Sequence, residues 1–416
     1  MRHVPRFLTN PSALQLLSPL ALVLSAAVAS AETLTVCPDG SCDYTNIQTA
    51  IDAAVAGDIV EVLPGLYSPS APLLVSKAIT LRGGVDAMGD PTTLIDGSSA
   101  HRVISCSGSQ GGEARFENLL IQNGAAGSGT GGGLRIGGAS PTLINCHFVG
   151  NTAYMGGGVY SESGSPVLEG CGFRENHAGK RGGGMCNLNA TAQLTGCSFI
   201  DNSADQDGAG LYNYFESDAR IEGCTFTGNV AGVWGGAVLN EDSGPAFIDC
   251  TFTQNTASEG GGIRNHYPGS NGSSSFTGCL IEGNQATSRG GGVYDSSCSP
   301  DYISCTLTAN LAGRIGGGMY TQSGAPALLD TQVCGNAPGQ IDGTWVDVGG
   351  NTVQEVCPTS CIADLNGDGL VGGADLGLFL TDWGPCGSGC AADFDGSGVV
   401  DGVDMGLLLA GWGPCP

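Results

Sequence analysis

Residues 141–160 read PTLINCHFVGNTAYMGGGVY, residues 166–186 read PVLEGCGFRENHAGKRGGGMC, and residues 300–320 read PDYISCTLTANLAGRIGGGMY. The same phrase carries a cysteine at 146, 171, 197, 224, 250, 279 and 305, at intervals of 25 to 29 residues. Imperfect copies begin near Ala114 and Pro326. A fixed period in this range marks a solenoid, in which each repeat buries its apolar face against its neighbours. Apolar residues alternate with others at Cys146 and Phe148, Cys171 and Phe173, and Cys250 and Phe252, and alternation returns after the glycines, as at Leu211 and Asn213. Period-two alternation over so few residues predicts very short strands. Asparagine and glycine stand between them, the residues that tolerate left-handed backbone at tight corners. About 26 residues holding three short strands and three corners make one coil of a parallel β-helix, with coils stacked at roughly 4.8 Å.

Stacking turns each repeat position into a column. One column is Asn151, Asn176, Asn202, Asn229, Asn255, Asn284, Asn310 and Asn336; a second is Asn187, Asn213, Asn240 and Asn265, continued by Asp295. Buried amides can bond their neighbours above and below, so both columns read as structural ladders. The cysteine column reads as free, buried thiols, because a thiol packs as a small hydrophobe and an odd number cannot all pair with one another.

The recurring Phe-x-x-Asn (Phe148 to Asn151, Phe226 to Asn229) and Gly-Gly-Gly/Ala-aliphatic (Gly156 to Val159, Gly235 to Val238) elements are similar to the polymorphic outer membrane protein repeat. Upstream, YTNIQTAIDAAVAGDIVEVLPGLY (residues 44–67), followed by ITLRG and TLIDG, resembles the opening of pectin-lyase-like right-handed β-helix proteins. That resemblance implies a short helix, at about residues 46–56, capping the open end of the core. Ile47, Ala50, Ile51 and Ala54 do fall on one helical face.

Composition narrows the function. The chain has 416 residues and 72 glycines without a Gly-X-Y period, which excludes collagen. With 41% hydrophobic and 13% charged residues it is not a disordered chain. Fourteen basic against 39 acidic residues give a net charge of -25, which repels phosphate backbones, so no nucleic-acid partner is expected. Arg2 and Arg6, an apolar run from Leu14 to Val28 and the small residues Ala29-Ser30-Ala31 read as a signal peptide over residues 1–31. The expected mature protein starts near Glu32 and is exported, extracellular or on the cell surface. No later apolar run has membrane-spanning length, so no transmembrane segment is expected in the mature chain. Export also permits disulfides among the 18 cysteines.

Residues 361–416 hold eight aspartates and no lysine or arginine, and they form a duplication offset by 29 residues. The offset carries Cys361 onto Cys390, Asp364 onto Asp393, Asp375 onto Asp404, Trp383 onto Trp412 and Cys386 onto Cys415. Each copy has the ligand spacing of an EF-hand loop. DLNGDGLVGGAD offers Asp364, Asn366, Asp368, the Leu370 carbonyl and Asp375, while DFDGSGVVDGVD offers Asp393, Asp395, Ser397, the Val399 carbonyl, Asp401 and Asp404. Hard oxygens alternating along a turning loop suit calcium, so two calcium sites are expected. Gly369 and Gly398 stand where the loop turns sharply, and Val371 and Val400 follow in position to pack. A single amphipathic helix follows each loop, DLGLFLTDWG or DMGLLLAGWG. One loop plus one helix, twice over, resembles a type I dockerin. The resemblance implies calcium-dependent folding and docking onto a cohesin-like or other cell-surface protein. The Ser-Thr pair of cohesin-reading dockerins is here Gly373-Ala374 and Gly402-Val403. The bracketing cysteines could close as Cys361–Cys386 and Cys390–Cys415, although four cysteines allow three pairings.

The expected fold is therefore all-β: a right-handed parallel β-helix solenoid over residues 32–356, with its repeats at about 114–340. A small C-terminal α-helical, calcium-binding, dockerin/EF-hand-like domain follows over residues 357–416. Outward columns carry the side chains that could do chemistry. Tyr214, Glu241 and His266 fall on consecutive coils beside Asp242 and Arg264, making Glu241 and His266 the catalytic candidates, since an acid and an imidazole one coil apart can transfer a proton. A solvated surface group is the commoner fate of such residues. Tyr160, Tyr212, Tyr294 and Tyr320 share an outward column, broken by Cys186, Leu239 and Arg264, with Trp234 at a corner. Such aromatics stack sugar rings or shield a sheet. Arg181 with Asp207, and Glu259 with Arg289, read as surface pairs. The coils are uniform, with an insertion only at Tyr267 to Ser275, and this favours a non-catalytic, carbohydrate-binding or adhesin-like rod. The alternative is a polysaccharide lyase or glycoside hydrolase on the same scaffold.

Overall fold

The computed structural model describes residues 31–108, 114–269, 272–357, 363–366, 368, 370–386, 390–395 and 397–414. Residues 1–30, which hold all but the last residue of the expected signal peptide, together with Cys361, Gly369 and Cys415, lie outside the described residues. The chain winds into a right-handed parallel β-helix. A representative coil runs Thr142–Ile144, His147–Val149, Thr152–Met155 and Val159–Glu162 before the next begins at Val167. These four strands belong to sheets of 13, 12, 7 and 11 parallel strands, here called sheets 1 to 4 in that order. Register is kept from coil to coil, so Phe148 lies over Phe173 and Val159 over Met185.

Sheet 3 corrects the expectation of three strands per coil. Its strands lie between the first asparagine column and the glycines, and the residues they bury are Ala153, Ala178, Ala204, Ala231, Ala257, Ala286 and Ala312. One small inward residue per strand leaves no alternation to read, and backbone pairing alone makes the strand. Elsewhere the inward residues are large. Phe148, Phe173, Phe199, Phe226 and Phe252 stack with ring centroids 4.5 to 5.2 Å apart. Phe247, Phe276 and Tyr302 form a second stack at 5.0 and 4.9 Å. Each such side chain contributes about 2 kcal/mol by leaving water.

The asparagine ladder forms, but not at the left-handed corner itself. The positive φ falls one residue earlier, at Gly150, Glu175, Asp201, Gly228, Gln254, Gly283, Ala309 and Gly335. Each asparagine is then free to turn inward. Asn202 Nδ2 donates to the Phe173 carbonyl and to Asn229 Oδ1, each at 3.0 Å, and its Oδ1 accepts from the backbone N–H (3.1 Å) and Nδ2 (3.0 Å) of Asn176. The pattern repeats down the column and ends on Gln340, whose Oε1 accepts from Asn336 Nδ2 at 2.8 Å. In the second column Asn187, Asn213, Asn240 and Asn265 each donate to the next, and Asn265 donates to Asp295 Oδ1 at 2.7 Å. The seven-cysteine column is buried and free, as expected.

Both ends are closed. Helix α1 (Ile47–Ala53) buries Ile47, Ala50 and Ile51 over the first coil, as its apolar face predicts. Asn46 caps its start, and Lys77 Nζ donates to the carbonyls of Ile51, Asp52 and Ala54 at its end. Cys37–Cys42 ties the first strand's exit, Cys334–Cys357 ties the last coils, and Trp345 packs against the core.

The tail has its own core. Helices α2 (Gly373–Thr381) and α3 (Gly402–Ala410) surround Ala363, Val371, Phe379, Ala392, Val400 and Leu408. These six are three pairs separated by the 29-residue offset. Leu370–Val371 pairs antiparallel with Gly413–Pro414, and Gly384–Pro385 with Val399–Val400. Each half thus lends a strand to the other, an approximate two-fold arrangement.

Candidate metal loops and outer-face site

The loop carboxylates converge. One oxygen each from Asp364, Asp368 and Asp375 lies within 4.8 Å of the others, and the same holds for Asp393, Asp395 and Asp404. Backbone donors aim the last carboxylate of each loop. Asp375 accepts from the N–H groups of Asn366 (3.1 Å) and Gly372 (2.8 Å), and Asp404 from those of Phe394 (2.8 Å), Asp395 (3.1 Å) and Asp401 (3.0 Å). The Gly372 and Asp401 N–H bonds, foremost, hold these two carboxyls below the usual aspartate range. Gly398 takes φ +84° at the sharp turn, and Val371 and Val400 are buried. The other sequence-predicted ligands are turned to local bonds. Asn366 Oδ1 accepts from the Asp368 N–H, Ser397 Oγ donates to the Val399 carbonyl, and Asp401 caps α3 by accepting from Val403. Three ionised carboxylates so close repel one another, and an all-oxygen donor set fits a hard divalent cation such as calcium.

On the rod, Tyr214, Glu241 and His266 do lie on consecutive coils of sheet 4. Each side chain has other close partners as well. Glu241 accepts from the Tyr212 hydroxyl and lies 3.6 Å from Arg181, whose Nη1 donates to Tyr212 at 2.8 Å. His266 packs against Tyr267 and Trp234, with ring centroids 4.1 and 5.8 Å away, and its Nδ1 is buried without a partner. Burial and the neighbouring Arg264 push its pKa below the usual value, so it is neutral at pH 7.

The outward tyrosine column is not an exposed platform. Tyr160, Cys186, Tyr212 and Leu239 form a small core of their own, overlaid by Met155, Leu188, Tyr214 and Trp234, and Tyr294 is buried as well. The outward column is roofed by the side chains that flank it on either side. Arg181 and Asp207 pair at 2.9 Å, but with Asp207 buried rather than at the surface. Glu259 pairs with Arg264 at 2.8 Å instead of with Arg289. The Arg264 guanidinium lies between the rings of Trp234 and Tyr294, 4.3 and 4.1 Å from their centroids. On sheet 3, His177 Nδ1 is 3.0 Å from Ser203 Oγ and its Nε2 is 3.8 Å from Asp205. The Asp205 N–H there is spent on the Ala178 carbonyl, so it offers no oxyanion donor.

The sequence reading missed one column. Immediately after the sheet 4 strands come Ser163, Asn189, Phe215, Asp242, Tyr267, Ser297 and Ser323, all at φ between 49° and 59°. Phe215 and Tyr267 are 53% and 48% exposed. The repeat register alone would have aligned these positions, and two aromatics among serine and asparagine were the signal.

The family described as right handed beta helix region matches residues 93–236, and the polymorphic membrane protein repeat of Chlamydia matches residues 249–265. No curated protein matches the chain in sequence. Among solved structures, a pectate lyase is 13% identical with a TM-score of 0.44, covering 83% of this chain and 86% of its own. The A-module of a mannuronan C-5 epimerase from Azotobacter vinelandii is 14% identical with a TM-score of 0.44, covering 74% and 91%. A tailspike protein of an Acinetobacter baumannii bacteriophage, a capsular polysaccharide depolymerase, is 15% identical with a TM-score of 0.35, covering 79% and 62%.

Proposed function

We propose that this is an exported, extracellular or cell-surface protein whose rod, residues 32–356, binds carbohydrate without cleaving it. Residues 357–416 form a dockerin-like module that folds around two calcium ions and attaches the rod to a cohesin-like or other surface protein. The observation that carries the non-catalytic reading is the Glu241 carboxylate, committed to Tyr212 and Arg181 and separated in function from a neutral His266. A general acid or base must instead reach the proton it transfers. Attachment is supported by apolar exposure repeated across the two-fold. Leu378, Leu380 and Trp383 on one half match Leu407, Leu409 and Trp412 on the other, all 40% to 54% exposed. No helix among the described residues is long and apolar enough to cross a membrane.

The test incubates the mature protein with a polysaccharide panel and calcium, following both retention and release of reducing or unsaturated ends. Retention without release is expected. Release from any polymer would overturn the reading in favour of a lyase or hydrolase, with Glu241→Gln and His266→Ala the first variants to make.

A further inference from the structure

The left-handed corner after sheet 4 has a regular vocabulary of serine, asparagine and glycine at Ser163, Asn189, Ser297, Ser323 and Gly138. Short side chains are what a positive φ favours, and a bulky ring there is an outlier. Two of the three central coils break the vocabulary with Phe215 (φ 52°) and Tyr267 (φ 57°), while Asp242 (φ 49°) sits between them. Both rings are half exposed, so packing does not account for them. Strained backbone persists where something other than stability selects it, and the inference runs from the outlier to a function.

A second observation falls on the same coils. Arg264, 4% exposed, has a buried Nε without a hydrogen-bond partner, and His266, in contact with Tyr267, has an unpartnered Nδ1. Buried orphan polar atoms are few in native proteins, and each calls for an explanation, a ligand group among them. Phe215 is backed by Tyr214, at 6.2 Å between centroids, and Tyr267 by His266, so each exposed ring is held on a second ring.

We infer that Phe215 and Tyr267, with Asp242 between them, form a binding site for a neutral polysaccharide chain lying along the rod axis. The site rests on the carbohydrate-binding reading and gives it a place and a substrate class. The two rings stand two coils apart, about 10 Å along the axis, a span that suits stacking of alternate sugar rings in one chain. The charge at the corner disfavours uronates: Glu216 follows Phe215 in the chain, Asp242 stands between the two rings, and the guanidinium groups of Arg181 and Arg264 are engaged by Asp207 and Glu259. Asp242 offers an acceptor to sugar hydroxyls between the two rings.

The experiment is affinity electrophoresis of the mature protein through gels containing hydroxyethyl cellulose, xylan or mannan, with pectate and alginate as acidic counterparts. The variants are Phe215→Ser, Tyr267→Ser and the pair, which install the residue that the same corner uses in other coils. Retardation by at least one neutral polymer is expected, weakened at least tenfold in the double variant, with the thermal midpoint unchanged or raised. Retardation that survives the double substitution overturns this site and leaves the carbohydrate-binding reading standing. Retardation by the acidic polymers alone overturns the substrate class. No retardation in any gel removes the carbohydrate-binding reading and this site with it.

Discussion

In the rod, a buried carboxamide such as Asn202 meets four partners supplied by the coils above and below. In the tail, Asp364 and Asp393 face two other carboxylates each. The same repetition of sequence underlies both, with opposite consequences. Translating a neutral amide by one coil lays donor on acceptor, so the rod completes its hydrogen bonds from its own repeat. Gathering acidic side chains in a loop lays charge on charge, so on the proposed reading the tail is completed by a cation from outside. Repeat and duplication are therefore not one kind of self-sufficiency.

The largest expected effect follows directly. Chelating divalent cations should unfold the tail and spare the rod. Near-ultraviolet circular dichroism from Trp383 and Trp412 is expected to collapse, while the strand signal and the rod's thermal midpoint persist. A cation at a thousandfold excess over its dissociation constant stabilises by about 4 kcal/mol, a large fraction of what so small a module has. Calorimetric titration of the mature protein is expected to show two sites, reduced to one by either Asp375→Ala or Asp404→Ala. Absence of calcium heat in the wild type would erase the contrast between the two regions.

The next effect is inside the rod. Asn229→Ala would strand the Phe199 carbonyl, the Asn202 N–H and one of the two N–H groups of Asn202 Nδ2, all buried, while Asn255 Oδ1 keeps the backbone N–H of residue 229. Each stranded buried group costs about 1–3 kcal/mol, so a loss on the order of 4 kcal/mol is expected after partial relaxation. Chemical denaturation measures it, and a loss under about 1 kcal/mol would mean that the ladder is decoration on an aromatic core rather than a structural element.

How much of this was legible in the sequence depended on whether a feature repeats. The period, the inward phenylalanines, both amide columns and the apolar face of α1 could be read because stacking imposes one identity on a whole column. Sheet 3 could not, since its single alanine per strand carries no alternation. The roofing of Tyr160, Tyr212 and Tyr294 could not either, because whether an outward residue is exposed depends on the side chains flanking it. Glu241 and His266 were placed correctly on adjacent coils, yet their partners Tyr212, Arg181 and Trp234 come from neighbouring columns whose lateral packing the period does not encode. The loop carboxylates were legible from spacing alone, because a twelve-residue loop brings them together locally.

Asp295 sharpens the comparison, as a carboxylate within the rod's amide ladder. It accepts from Asn265 Nδ2 and from the Tyr302 hydroxyl and donates nothing, and Thr321 Oγ1 on the next coil is buried without a partner. Burial pushes its pKa up to about 7 from an ordinary 3.8. A carboxyl raised in the folded state favours the protonated form there. Its penalty is therefore absent below about pH 4, grows as the pH rises toward 7 and is full above that. Asp295→Asn keeps the acceptor and adds a donor facing Thr321. It is expected to stabilise the protein by on the order of 4 kcal/mol at pH 8 and by less than about 1 kcal/mol at pH 4, read from denaturation curves at both values. Equal effects at the two values would show that the ladder accommodates the charge without penalty.

The smallest effect concerns how the tail's halves are held. Cys386 and Cys390 carry free thiols near one another, packed against the tail core. The strands already cross between halves, so a bond between these two follows the same exchange, with the 29-residue offset relating Cys386 to Cys415 and Cys390 to Cys361. Oxidation would join the sulfurs, passing two electrons and two protons to an external disulfide. Closing so short a loop stabilises by only about 2 kcal/mol through chain entropy. Cleavage before aspartates, without reduction, releases residues 382–392, which contain both cysteines and no other. That peptide is expected two hydrogens lighter than its reduced form. Finding it joined instead to the peptide of Cys361 or of Cys415 would mean that each half closes on itself, leaving the exchanged strands and the shared core to hold the halves together.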